Sequence, residues 1–262
     1  DYDAIVVGSG PNGLAAAIVL AQAGQSVLVL EAKDTIGGGS RSKELTLPGF
    51  VHDICSAVHP LGIGSPFLRT LPLEQYGLEW VHPEVPLAHP LDDGSATLLE
   101  RSVKATSLSL GGDAHAYERL VEPFVDNWNT LANAFLGPLR IAPLLHPFAL
   151  APFGLTAIQP AQMLLERTFK SERTRAMFAG ICAHAQIPLN FVASAAAGLL
   201  LATAGHVFGW PVPRGGSQMI VNAMAAYLRS LNGEIVTGGE VKNIDDLPVA
   251  RAVLFDVTPR QL

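Results

Sequence analysis

The chain has 262 residues, 49% of them hydrophobic and 15% charged, with 17 Lys and Arg against 23 Asp and Glu. That is long enough to bury a core in one large or two small domains, and too apolar for a disordered chain. A formal charge of −6 argues against a nucleic-acid binder, and two cysteines, Cys55 and Cys182, are too few for a disulfide scaffold.

The cysteine count leads us to expect a reduced, cytoplasmic setting. The sequence enters a strand-like run directly after Asp1, so no signal peptide is visible, and we expect a segment to precede it in the whole protein.

Ala4 to Val7 is a short apolar run, as expected for a buried parallel strand. It leads into Gly8-Ser9-Gly10-Pro11-Asn12-Gly13, and Leu14 to Ala21 then reads as a helix that Gly24 stops. Ser26 to Leu30 is a second buried strand ending in Glu31, 18 residues after Gly13. Each part has a physical job. Gly8 permits the tight turn, Gly10 lets backbone approach a pyrophosphate, and Gly13 allows close helix–strand packing. The helix start offers unpaired N–H groups and the positive dipole end to phosphate. Glu31 can accept hydrogen bonds from ribose hydroxyls, and its charge disfavours a 2′-phosphate. Strand, glycines, helix and acid together point to a dinucleotide site.

A second glycine cluster, Gly37-Gly38-Gly39-Ser40-Arg41, follows, and then Leu47-Pro48-Gly49-Phe50 through His59-Pro60. This region resembles the FAD-dependent amine oxidases and phytoene dehydrogenases, more closely the phytoene-dehydrogenase-related branch. The resemblance implies an α/β fold, with a Rossmann-like FAD-binding domain on a parallel sheet interrupted by an α+β substrate or cap domain. It also implies FAD as cofactor. Gly8, Gly10 and Gly13, with Pro11 and Asn12 between them, would hold its pyrophosphate. Glu31, with Ala32 beside it, would hold the adenosine ribose. Gly38, Gly39 and Arg41 would lie along the pyrophosphate and ribityl chain. Many relatives place arginine directly after a glycine pair, whereas Gly39 and Ser40 intervene here.

In the middle of the chain, Asp92-Asp93-Gly94 suggests a hairpin turn. Asp113 is a candidate cap for a helix running through Phe124 to Leu131. Gln162 to Ala183 reads as one helix whose Arg167, Lys170, Glu172, Arg173 and Arg175 form a solvated face. Two stretches, 141–165 and 176–213, contain no Asp, Glu, Lys or Arg. Pro143, Pro147, Pro152 and Pro160 break the first. About 15 residues of the second, from Phe191 to Gly205, are cleanly apolar, short of the ~20 that span a bilayer. Buried helix, lining for a greasy substrate, and surface resting on a membrane all fit these stretches.

Pro213-Arg214-Gly215-Gly216 precedes apolar residues at helical spacing from Ile220 to Leu231. Glu234 to Thr237, Val241 to Ile244 and Arg251 to Val257 read as strands. In relatives such a unit returns to the flavin, and the residue matching Val241 would contact adenine through its backbone. We therefore expect a nucleotide domain over 1–72 and 206–262 and an inserted substrate domain over 73–205, a mixed sheet with helices. Relatives continue to a late Gly-Asp segment, so the sequence is expected to be the N-terminal portion of a longer enzyme, with weak or absent flavin binding of its own.

The eight histidines show no metal-ligand spacing, and only His52 and His59 lie near the flavin motif. No Gly-x-Ser-x-Gly elbow supports hydrolysis. The expected chemistry is hydride abstraction from a C–H or C–N bond of a small, lipophilic substrate onto FAD. Peripheral membrane contact and pairing with the missing C-terminal half or an oligomer partner are the expected partnerships. NAD-dependent dehydrogenation and a cofactor-poor interaction module are the rival readings. A disulfide reductase would need a close cysteine pair, and Cys55 and Cys182 are 127 positions apart.

Overall fold

The ten strands among the described residues are β1 (Tyr2–Val7), β2 (Val27–Leu30), β3 (Ser42–Glu44), β4 (Val51–Asp53), β5 (Trp80–Val81), β6 (Leu87–Pro90), β7 (Ala96–Leu99), β8 (Val212–Pro213), β9 (Glu234–Val236) and β10 (Ala250–Phe255). They come from a computed structural model that describes residues 1–137 and 147–261. Pro143 and His146 of the first uncharged stretch, and Leu262, lie outside the described residues. Contacts divide the chain into two units, residues 1–58, 71–81 and 212–262 in one and residues 59–70 and 82–211 in the other.

The first unit is built on a parallel sheet of order β10-β1-β2-β9. Ala4 pairs with Val27 on one side and Ala252 on the other, which makes β1 a central strand. Ala4, Ile5 and Val6 are buried, as a strand covered on both faces requires. Helix α1, Pro11–Gln22, starts with proline, whose missing N–H costs nothing in a first turn. It buries Gly13, Leu14, Ala17, Ile18 and Ala21, a stripe at three- and four-residue spacing. It packs against helix Gln218–Ser230, which buries Ile220, Ala223, Met224 and Leu228. Truncating fully buried Leu14 to alanine would cost ~3 kcal/mol.

Residues 73–81, which the sequence reading placed at the start of the insertion, have their contacts within this unit, together with residues 71 and 72. Tyr76 explains why. Its hydroxyl hydrogen-bonds the Ser230 hydroxyl at 2.8 Å, and its ring lies 5.3 Å from that of Tyr227. The strand expected at Val241 to Ile244 is not formed. None of residues 237–250 is buried, so no face exists to hold a strand in the sheet. Asn243 instead accepts the Asp245 N–H through its side chain at 3.2 Å and opens a short 3₁₀ turn at Ile244–Asp246.

In the second unit the β6–β7 hairpin turns at Gly94, where φ is +79° and the N–H returns to Leu91 O at 3.0 Å. Among the described residues it is the sheet content of this unit, smaller than the mixed sheet expected. Helices make up the rest, because apolar residues from Val103 to Phe208 recur at helical spacing. Tyr117, Phe169, Met177, Phe178, Ile181 and Leu199 form the centre of the core.

Two helix expectations in this unit are corrected. The helix foreseen over Gln162 to Ala183 is two, Ala161–Thr168 and Glu172–Cys182. Asp113 causes the break. Its two carboxylate oxygens accept the N–H groups of Lys170 and Ser171 at 2.8 Å each. It therefore does not cap its own helix, Ala114–Asp126, with its side chain, and a separate helix, Trp128–Phe135, follows. The Ala/Leu-rich run forms Ala195–Phe208, whose Gly198 lies so close to Cys182 that a Cβ there would fall 2.2 Å from the sulfur. Among the described residues no helix is long and apolar enough to cross a membrane.

Candidate dinucleotide-binding site

β1 ends in the glycine turn at a place where side chains do not fit. Gly8 has φ +107°, and a Cβ on it would sit 2.4 Å from the Asp256 carbonyl oxygen. A Cβ on Gly13 would sit 2.3 Å from Gly8 O, so this glycine lets α1 start directly against the strand end. Gly38 approaches Gly10 in the same way, with a Cβ position 3.2 Å from Gly10 Cα. The second glycine cluster thus lies on the first. Gly37 N–H donates to Ser9 O at 3.1 Å and secures the pair.

α1 has no side-chain cap from its own neighbours, since its N-cap residue is Gly10. The cap arrives from the far end of the chain. Asp256, just beyond β10, accepts the Gly13 N–H through Oδ2 at 2.8 Å, while its own N–H donates to Val7 O at 2.8 Å. Pro11 has no N–H. The N–H groups of Gly10 and Asn12 are then left without a partner among the described residues, at the positive end of the helix dipole.

Glu31 stands at the end of β2. Its Oε2 accepts the Ser9 N–H at 3.1 Å and the Ser9 hydroxyl, and its Oε1 accepts the Lys33 N–H at 2.9 Å. A carboxylate has about four acceptor positions. Three are used here to hold the group still, and one remains for a hydroxyl. Arg41 donates Nε–H to Gly38 O at 2.9 Å, which fixes the guanidinium beside the second glycine cluster.

These groups line one cleft of about 830 Å³ within the first unit. Gly8, Gly10, Pro11, Asn12, Glu31, Ala32, Gly38, Gly39, Arg41 and Val241 are all on its wall. Gly13 is not; its N–H faces Asp256 and its Cα faces Gly8. Val241 reaches the wall from an open loop, Gly239 to Lys242, rather than from the strand expected for it. Lys33, Lys242 and Arg260 add positive charge, against Glu240 and Asp256.

His52 and His59 are not on this wall. His52 Nε2 hydrogen-bonds Thr46 Oγ1 at 2.8 Å in an exposed position. Among the described residues no group of His, Cys, Asp and Glu is placed to hold a metal ion, and both cysteines are free.

Sequence reasoning missed Ser9, Asp53 and Asp256. Asp53 Oδ1 accepts the Ser42 hydroxyl at 2.6 Å and the Ser217 N–H at 2.7 Å, and Ser42 Oγ accepts the Gln218 N–H at 3.0 Å. Helix Gln218–Ser230 is thereby tied to the β3–β4 hairpin that follows Arg41. Gly216 permits the approach, since a Cβ on it would meet Ser42 Oγ at 2.6 Å. A polar residue directly after the last strand was the one signal for Asp256, and that strand, expected from the sequence to be buried, has no buried residue.

Residues 6–69 match the family model of the NAD(P)-binding Rossmann-like domain. "Pyridine nucleotide-disulfide oxidoreductase domain-containing protein 2" of Mus musculus is 30% identical over 198 residues, covering 72% of this chain and 32% of the relative. All-trans-retinol 13,14-reductase of Danio rerio is 48% identical over 63 residues, 24% of this chain and 10% of the reductase. Putrescine oxidase of Kocuria rosea is 56% identical over 43 residues, 16% and 9% of the two chains. The crystal structure of an oxidoreductase from Methanosarcina mazei superposes with a TM-score of 0.66 at 19% identity, over 96% of this chain and 58% of that one. The chain carries an NAD(P)-binding Rossmann-like domain and is a homologue of the amine-oxidase-like oxidoreductases. It spans about a third of the length of the mouse relative.

Proposed function

We propose that the chain is the dinucleotide-binding portion of an FAD-dependent oxidoreductase of phytoene-dehydrogenase-like type. The observation that carries this is the stacking of Gly38 on Gly10, with Arg41 anchored beside them, in one cleft with Glu31. An NAD site built on β1, α1 and β2 needs the first glycine turn and the acid, not a second glycine layer over it.

The residues present fit such a cofactor, because side chains at Gly8, Gly13 or Gly38 would fill the cradle. The Gly10 and Asn12 N–H groups would bind the pyrophosphate, and Arg41 would neutralise part of its charge. Glu31 would accept from the adenosine ribose through its remaining acceptor position. Gly239 to Lys242 would cover the adenine end. A bound flavin supplies the redox chemistry, as acceptor of the hydride from a substrate C–H or C–N bond. Binding, orientation and water exclusion fall to the protein. The long uncharged stretches and the likeness to a retinol reductase support a lipophilic substrate.

Incubating the purified chain with FAD and with NAD, followed by gel filtration and absorption spectroscopy, tests this reading. Co-elution of a flavin band supports it. Retention of NAD with exclusion of FAD would replace it by the NAD-dependent reading, and retention of neither, with no saturable FAD binding in an equilibrium titration, by the interaction module.

A further inference from the structure

The second glycine cluster needs help to stay ordered. Glycine loses more backbone freedom on folding than any other residue, and here three stand in a row, Gly37 and Gly38 with φ of +124° and +53°. A ligand that had to order this loop itself would bind more weakly for it. On one side the loop meets the first glycine turn, with Gly37 N–H on Ser9 O and Gly38 against Gly10.

On the other side it meets the first turn of helix Gln218–Ser230. Gln218 Nε2 donates to Ile36 O at 3.0 Å, and the Gln218 backbone N–H donates to Ser42 Oγ at 3.0 Å. Ile36 and Ser42 are the two ends of the loop, so one residue grips both. The same Nε2 donates to Asn222 Oδ1 at 3.2 Å, one turn along the helix. Both side-chain partners are acceptors, which fixes the amide with its nitrogen towards the loop. Packing agrees with these bonds. A Cβ on Gly37 would meet Val221 Cγ2 at 2.9 Å and Gln218 Nε2 at 3.4 Å, so this glycine lies directly on the helix. Asp53 Oδ1 steadies the grip by accepting both the Ser42 hydroxyl and the Ser217 N–H. Gln218 is not on the wall of the cleft, so it acts on a ligand through the loop.

We propose that Gln218 is a positioning residue for the dinucleotide, holding the Ile36–Ser42 loop onto Gly10 in the form that receives the pyrophosphate. This role rests on the reading of the cleft as an FAD site. The loop is ordered before the ligand arrives, and the affinity gained is confined to ligands that reach Gly38 and Gly39. AMP, held by Glu31 and the first glycine turn, gains nothing from it.

Two measurements on Q218A test the role. In the ligand-free chain, amide hydrogen exchange at Gly37 and Ser40, which donate to Ser9 O and Gly37 O, quickens about tenfold, while the Gly8 and Glu31 amides at the strand ends keep their protection. In equilibrium titrations FAD binding weakens about tenfold, the worth of a net hydrogen bond, and AMP binding stays within about twofold of the parent. Q218E, which turns an oxygen towards Ile36 O, loses at least as much FAD affinity. N222A, which removes only the second acceptor, keeps both affinities within about twofold. Parental exchange at Gly37 and Ser40, or parental FAD affinity, in Q218A overturns the role of Gln218 and leaves the cleft an FAD site. Equal loss of FAD and AMP also overturns it, since a general loss of stability weakens both. A parent chain that binds AMP but no FAD removes the reading of the cleft, and the proposal falls with it.

Discussion

The Asp256 carboxylate accepts the Gly13 N–H at 2.8 Å, joining residues 243 positions apart at the start of the first helix. A helix whose N-cap is glycine thus receives its cap from the residue just beyond the last strand of the sheet. The bond also fixes which amides remain for a ligand, Gly10 and Asn12. Asp256→Ala should lower stability by ~1–2 kcal/mol, the worth of a helix cap, and weaken dinucleotide binding with it. Asp256→Asn keeps an acceptor oxygen and removes a negative charge from the cleft. It should keep the stability and bind the dinucleotide at least as tightly as the parent, measured by urea denaturation and fluorescence titration.

Glu31 carries a separate prediction. Glu31→Gln replaces one acceptor oxygen by an NH₂ group, opposing either the Ser9 or the Lys33 N–H. Loss of charge-assisted bonds of this kind is worth ~1.5–3 kcal/mol. Calorimetric titration should show dinucleotide affinity reduced tenfold or more, and an unchanged constant would remove Glu31 from the site.

The glycines should respond unequally. A Cβ at Gly13 meets Gly8 O at 2.3 Å and the Asp256 carboxylate at 2.9 Å, whereas a Cβ at Gly39 finds only the Cys55 side chain at 4.0 Å. Gly13→Ala should cost several kcal/mol, in the range of overpacked cores, and abolish binding. Gly39→Ala should leave the melting temperature within a few degrees of the parent. Thermal melts of the two variants side by side check this.

Asp113 predicts how the helical unit responds to acid. Burial of its carboxyl raises the pKa, but the Lys170 and Ser171 N–H groups outweigh this and hold it below the ordinary value of 3.8. A group whose folded pKa is depressed contributes stability that is full above its unfolded pKa and lost as pH falls through the folded one. Stability should therefore fall as pH drops below about 4, and the fall should be shallower in Asp113→Asn. Denaturation midpoints across this pH range, wild type against variant, measure it.

The nucleotide-binding half was legible where its signals are local. A strand, three glycines, an alanine-rich helix and an acid at the next strand end lie within Ala4 to Glu31, and each is fixed by neighbours in sequence. What escaped is long-range. Asp113 reads as the cap of the helix beside it, yet its oxygens serve amides 57 and 58 residues on. Residues 71–81 carry no motif, and long-range contacts tie them to the first unit: the pairing of β5 with β8, the Glu79–Arg214 ion pair at 2.8 Å, and the meeting of Tyr76 with Tyr227 and Ser230. Val241 fits an alternating strand pattern, but a strand needs a face to bury, and the sheet offers none there. Asp256 shows the same limit, since nothing near it in sequence reveals the helix it caps.

The account rests on the cleft taking FAD, and equilibrium titration of flavin fluorescence measures that directly. Saturable binding of one FAD per chain, displaced weakly by NAD and lost in Gly13→Ala, is the predicted result. Failure of FAD to bind while NAD binds with one-to-one stoichiometry would contradict it.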